Sequence, residues 1–125
     1  MKYKKKIKSL VNSFGYAFQG ICSSFRTERN MKIHVFIMIL VVLLGIFLHI
    51  SVTEWIVCVI LFALVIGAEL FNTAIEAVVD MISLEKSSQA KLAKDVSAGA
   101  VLVFAIASII VGLIIFAPKI IDILV

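Results

Sequence analysis

Hydrophobic positions along the chain follow two patterns. Between Ile7 and Phe25 they recur at helical spacing, with Ile7, Leu10, Val11, Phe14, Phe18, Ile21, Cys22 and Phe25 on one stripe, which predicts an amphipathic helix. Beyond it they run almost unbroken. Residues 33–53, between Lys32 and Glu54, form an uncharged stretch of 21 whose ionisable residues are His34 and His49, and residues 96–118, between Asp95 and Lys119, form one of 23. A helix needs about 20 apolar residues to cross a bilayer, so each stretch predicts a span.

The middle of the chain is different. From Trp55 to Ala68 it is uncharged for 14 residues, too short to span alone, and it then continues through Glu69 and Glu76 to Asp80 with Leu70, Phe71, Ile75, Val78 and Val79 still apolar. Residues 55–80 therefore read as a third spanning helix whose inner half carries acids, and residues 81–95 as the loop to the last span. Trp55 reads as an interfacial anchor. In the last span Ala98, Ala105, Ser108 and Gly112 share an arc of about 80°, a small-residue face for close helix packing.

Composition agrees with this reading. Of 125 residues 62% are hydrophobic and 16% charged, an apolar excess that a core of this size cannot bury. The expected fold is one all-α integral membrane domain, residues 1–125, with an N-terminal amphipathic surface helix over 1–30 and three transmembrane helices. The net charge of +4 is concentrated in Lys2, Lys4, Lys5, Lys6, Lys8, Arg26, Arg29 and Lys32, opposed there only by Glu28. With three spans, this segment and the loop bearing Lys86, Lys91 and Lys94 fall on one side. The positive-inside rule makes that side cytoplasmic, in a multi-pass protein of the cell membrane. Basic charge on an apolar body suits anionic headgroups and argues against nucleic acid as a partner. MKYKKKIK could open a signal peptide, but Asn12, Ser13 and Gln19 interrupt the apolar run that should follow, so the segment reads as an interfacial helix. Cys22 and Cys58 have neither metal-ligand nor disulfide-framework spacing.

Candidate chemistry is confined to a few residues. Glu69, Asn72, Glu76 and Asp80 are spaced 3, 4 and 4 apart, so they line one arc of about 80° on an otherwise apolar helix. Each charge at mid-bilayer costs at least about 2.5–3.5 kcal/mol on insertion scales, so something outside the helix must compensate. Cations from neighbouring helices, transported protons or drugs, or divalent ions carrying a polyphosphate would all serve. Glu69 lies about 10 Å deeper than Glu76 at 1.5 Å per residue, while Asp80 nears the surface beside Glu85, Lys86, Lys91, Lys94 and Asp95. A site with one end in lipid and one in cytosol suits a membrane-dissolved reactant and a water-soluble one. A transporter would need access from both sides, and a purely structural subunit has no use for the stripe. Glu28, the one acid among residues 1–53, is a candidate second carboxylate for a metal ion or an ordinary partner of Arg26 or Lys32.

The residues E-L-F-N-T-A-I-E-A-V-V-D from Glu69 to Asp80 closely resemble the signature of the small prokaryotic diacylglycerol kinase family. G-Y-A-F-Q-G from Gly15, E-R-N-M-K-I-H from Glu28 and A-K-D-V-S-A-G-A-V-L from Ala93 are similar to further parts of that family, so the resemblance covers nearly the whole chain. It implies a homotrimeric membrane kinase, with sites shared between subunits, that moves the ATP γ-phosphate to a lipid hydroxyl. Position by position, it implies Glu69 as catalytic base and Glu28 and Glu76 as Mg²⁺ ligands. Tyr16, Glu85, Lys86, Ser87, Lys94 and Asp95 match nucleotide-contacting positions, which the ligands Glu28 and Glu76 join through the metal. Asn72 and Asp80 match further polar positions of the same site.

The chemistry is consistent with these roles. Phosphoryl transfer is mostly positioning and charge neutralisation, and a deep carboxylate in an apolar setting is a suitable proton acceptor near neutral pH. Soluble-kinase motifs do not apply: Gly15 and Gly20 have P-loop spacing, but Ile21 and Cys22 replace the Lys and Ser/Thr. The early lysines and E-R-N-M-K-I-H look like the Gram-positive branch, whose members favour undecaprenol, with diacylglycerol as the alternative acceptor. Ser9 stands where other members carry an arginine. His34 reads as an inner-boundary residue that meets headgroups or an interhelical partner, and His49 as closing the first span at the outer boundary, rather than as proton shuttles.

Overall fold

The computed structural model describes residues 1–82 and 87–125; Glu85 and Lys86 lie outside the described residues. Four helices follow in order: α1 (Lys2–Thr27), α2 (Arg29–Phe47), α3 (Val52–Ile82) and α4 (Ser88–Leu124). The last three are long and apolar enough to cross a membrane. The architecture is thus the all-helical one the hydrophobic pattern predicts. The stripe of α1, from Ile7 through Phe14 and Phe18 to Phe25, is exposed, as a helix lying in a lipid interface requires.

Helix α1 ends where Glu28 takes extended backbone angles (φ −101°, ψ 118°), so the chain turns into α2 through this single residue. Its C-terminal end is fastened to α3 by a buried relay. Thr73 Oγ1 donates to the Glu69 carbonyl at 3.0 Å, which leaves Ser24 Oγ to donate to Thr73 at 3.1 Å.

The turn between α2 and α3 is tight, and His49 takes a left-handed φ of 53°, which in a non-glycine residue costs on the order of 1–3 kcal/mol. The Ile50 N–H returns to the Gly45 carbonyl at 3.2 Å, and a Cβ on Gly45 would lie 2.8 Å from the Trp55 ring. Trp55, expected as an anchor among headgroups, is therefore half-buried as the plug of this hairpin. Helix α3 starts with a reciprocal cap: Glu54 N–H donates to Ser51 Oγ at 3.1 Å and Ser51 N–H to Glu54 Oε1 at 3.0 Å. Glu54 also pairs with Lys119 of α4 at 3.0 Å, above a small core of Ile50, Cys58, Ile115 and Phe116.

At the opposite end the helices outrun the spans read from sequence. Helix α3 reaches Ile82 rather than residue 80, and α4 begins at Ser88, so much of the 81–95 segment expected as a loop is helical. Local capping explains this: Ser87 Oγ accepts from the Ala90 N–H at 3.0 Å, and Lys91 and Asp95 pair one turn apart. At 1.5 Å per residue, a helix of 37 residues runs about 55 Å, well beyond the roughly 30 Å hydrocarbon core, so α4 projects from the bilayer. Helix α3 packs along α4 and against α2, while α2 and α4 do not close on each other. An apolar cleft of about 510 Å³ is left over α3, bounded by Ile37, Met38, Phe62 and Val111.

Candidate active site

Three polar layers descend the face of α3 that carries the acidic stripe. The deepest is Glu69, whose side chain is 1% exposed and whose two carboxylate oxygens have no hydrogen-bond partner among the described residues. An uncompensated buried carboxylate is expensive, so it marks a place where another group is meant to arrive. It borders a cavity of about 280 Å³ together with Asn30 and His34 of α2, Asn72 of α3, and Ala98 and Val101 of α4. The small side chain of Ala98 keeps this space open. His34 Nε2 stands 3.8 Å from Glu69 Oε2. His34 and Ala105 also line the apolar cleft, so the polar cavity and the cleft adjoin.

One turn along, Asn72 is buried and held from both sides. Ser97 Oγ of α4 donates to Asn72 Oδ1 at 2.6 Å, and Asn72 Nδ2 donates to Glu76 Oε1 at 3.4 Å. The Glu76 carboxylate is thereby oriented through a serine on another helix.

The outermost layer is ionic. Lys94 Nζ meets Asp80 Oδ1 at 2.5 Å, tying the end of α3 to the start of α4, outside the spans. The Asp80 hydrogen bond holds the Lys94 ammonium above the ordinary lysine range, so it is charged at neutral pH. Asp95 pairs with Lys91 on its own helix. Both pairs are exposed and individually weak.

Other candidates stand apart. Tyr16 lies on α1 and is exposed, beside a shallow groove with Lys5, Lys8, Ser9 and Asn12. Glu28 sits at the α1–α2 turn, close enough to Glu69 for their charges to interact, as Glu76 is. Ser87 caps α4. Glu85 and Lys86 lie outside the described residues.

Among the described residues no three His, Cys, Asp or Glu side chains converge as a metal cage. A hard divalent cation keeps water and takes one or two carboxylates plus substrate phosphates. The available donors near Glu69, Glu28 and Glu76, are of that oxygen type.

Sequence reasoning missed Ser97, Ser24 and Thr73, while the interhelical partner it allowed for His34 is Glu69. A serine in an uncharged run reads as packing, and only the contact across 25 residues gives Ser97 its meaning. His34 did carry a signal, as an ionisable residue inside an apolar stretch.

The fold and site define a multi-pass helical membrane protein with a buried carboxylate that has no hydrogen-bond partner among the described residues, and with exposed ion pairs at one end. Residues 15–116 match the family model for prokaryotic diacylglycerol kinase. The chain is 40% identical over 117 residues to the undecaprenol kinase of Bacillus subtilis, covering 94% of this chain and 95% of that one. It is 39% identical over 118 residues to a Synechocystis diacylglycerol kinase, covering 94% and 67%. A Pseudomonas aeruginosa diacylglycerol kinase is 32% identical over 94 residues, covering 75% and 76%. The chain belongs to the prokaryotic diacylglycerol kinase family. It is a membrane lipid kinase, an ATP-dependent phosphotransferase that uses a divalent metal.

Proposed function

We propose that the lipid alcohol is undecaprenol and that the whole chain acts as one kinase domain in which Glu69 is the general base. The observation that carries this reading is the fully buried Glu69 carboxylate, without a hydrogen-bond partner among the described residues, beside a cavity that adjoins an apolar cleft. A lipid chain can lie in such a cleft with its hydroxyl directed at Glu69. Glu69 takes the hydroxyl proton as the oxygen attacks the γ-phosphorus and the bond to ADP breaks.

Glu28 and Glu76 are the residues that would hold Mg²⁺, which when bound offsets phosphate charge. Asn72, fixed by Ser97, keeps the Glu76 carboxylate in place. Lys94 and Asp95 exchange their ion pairs for nucleotide contacts, and Asp80 receives or releases Lys94 as they do so. Tyr16 and Ser87 add further nucleotide contacts, and the family resemblance assigns the same role to Glu85 and Lys86, which lie outside the described residues. Tyr16, on the exposed surface of α1, is well placed to serve a neighbouring copy, in keeping with a homotrimer whose sites are shared. The basic α1 and the Lys91–Lys94 segment support a cytoplasmic N-terminus and active site.

Support for undecaprenol comes from the Bacillus relative, matched along nearly its full length. The test is transfer of labelled γ-phosphate from ATP by the purified protein with undecaprenol and with diacylglycerol as acceptors. Undecaprenol is expected to give the higher kcat/KM, and a clear preference for diacylglycerol overturns the substrate assignment.

A further inference from the structure

On the proposed reading, each turnover leaves the substrate proton on Glu69, and this inference rests on that reading. The Glu69 side chain is 1% exposed and its oxygens are bonded to nothing among the described residues, so the proton has no direct way out. Until it leaves, the base cannot accept the next one.

The surroundings offer few acceptors. Asn30 and Asn72 border the cavity but are amides, which do not titrate near neutral pH. Ala98, Val101, Leu102 and Ala105 are apolar. Glu28 and Glu76 are near enough to act on Glu69 electrostatically, but both are assigned to the cation and its phosphates. His34 remains. It stands on the facing helix α2, two residues from Lys32 at the charged end of that span, with Nε2 3.8 Å from Glu69 Oε2. Imidazole both takes and gives a proton near neutral pH, and a small side-chain rotation or one water closes 3.8 Å.

We propose that His34 is the proton exit of the kinase, taking the substrate proton from Glu69 after phosphoryl transfer and releasing it outside the cavity. The balance is closed. The hydroxyl O–H breaks and its proton bonds to Glu69, the new O–P bond replaces the one to ADP, and the proton then passes from Glu69 to His34 Nε2 and on to water. The carboxylate is restored and nothing is oxidised or reduced. His34 acts through Glu69 rather than on the substrate.

That division gives the test. With ATP and undecaprenol in bilayers, His34→Gln is expected to lose at least about tenfold more in the steady state than in its first turnover. In His34→Ala, whose smaller side chain leaves space, added imidazole is expected to restore the steady-state rate in proportion to its unprotonated fraction. The burst rate is independent of how much of a variant assembles, so partial misfolding does not mask the result. A first turnover slowed as much as the steady state, or a steady state unaffected in His34→Gln, overturns the exit. Glu69→Gln, run alongside, separates this from the parent reading: if it remains active the base assignment fails, and if it is inactive while His34→Gln turns over normally only the exit fails.

Discussion

Ser97 shows how much a single hydroxyl can decide. Its Oγ reaches Asn72 Oδ1 at 2.6 Å, while the Glu76 carboxylate, which can only accept, takes the Nδ2 end of the amide. Ser97→Ala leaves a buried carbonyl oxygen without its donor, a loss of about 1–3 kcal/mol. Thermal unfolding should register it as a lower Tm, and the Mg²⁺ concentration giving half-maximal activity should rise because Glu76 is no longer held. Glu28→Ala and Glu76→Ala are each expected to raise the same Mg²⁺ requirement more strongly. Unchanged magnesium dependence in both would remove them as ligands. At this scale the acidic stripe was legible in the sequence because helical periodicity is local: spacings of 3, 4 and 4 put Glu69, Asn72, Glu76 and Asp80 on one face whatever surrounds them. Ser97 and His34 were not legible as site residues, since each gains its role from a different helix.

Among the elements, the α2–α3 hairpin sets the register at which α2 faces α3, and so brings His34 level with Glu69. Its geometry depends on Gly45, where an added Cβ meets the Trp55 ring at 2.8 Å. Gly45→Ala is expected to cost about 1–3 kcal/mol of stability by overpacking. Combined with Trp55→Ala it should cost less than the sum of the two single changes, the signature of a direct contact in a double-mutant cycle.

The cap of α3 makes the hairpin end pH-sensitive. The Ser51 backbone hydrogen bond, reinforced by Lys119, holds the Glu54 carboxyl below the usual carboxylate range. A carboxyl depressed on folding adds stability above its unfolded value, and that stability is lost as pH falls through the folded value. Wild type and Glu54→Gln should therefore differ in Tm at neutral pH and converge as the solution is acidified below about pH 4. A difference that persists in acid contradicts the charge-based cap. The cap was present in the sequence as S-V-T-E, a short-range pattern, whereas the Trp55 plug depends on a return of the chain that periodicity does not specify.

Taken as a whole, the molecule separates two environments around one carboxylate. Apolar α2 and α4 both pack on α3 without closing on each other and leave an apolar cleft, while charged helix ends gather at one end of the spans. Hydrophobic pattern alone was enough for the number and order of helices, because lipid demands long uncharged runs and exposes their faces. It could not give the ends of α3 and α4, since capping by Ser87 and the Lys91–Asp95 pair carries the helix into charged sequence that hydropathy reads as loop.

The central claim is that Glu69 accepts the proton of the lipid hydroxyl. It is tested most directly by single-turnover transfer of labelled γ-phosphate to undecaprenol by wild type and Glu69→Gln, with assembly checked by size-exclusion chromatography. The account predicts that Glu69→Gln assembles as wild type does and still binds Mg²⁺ and ATP, yet loses at least about 100-fold in the transfer rate. Transfer at the wild-type rate in that variant would contradict it.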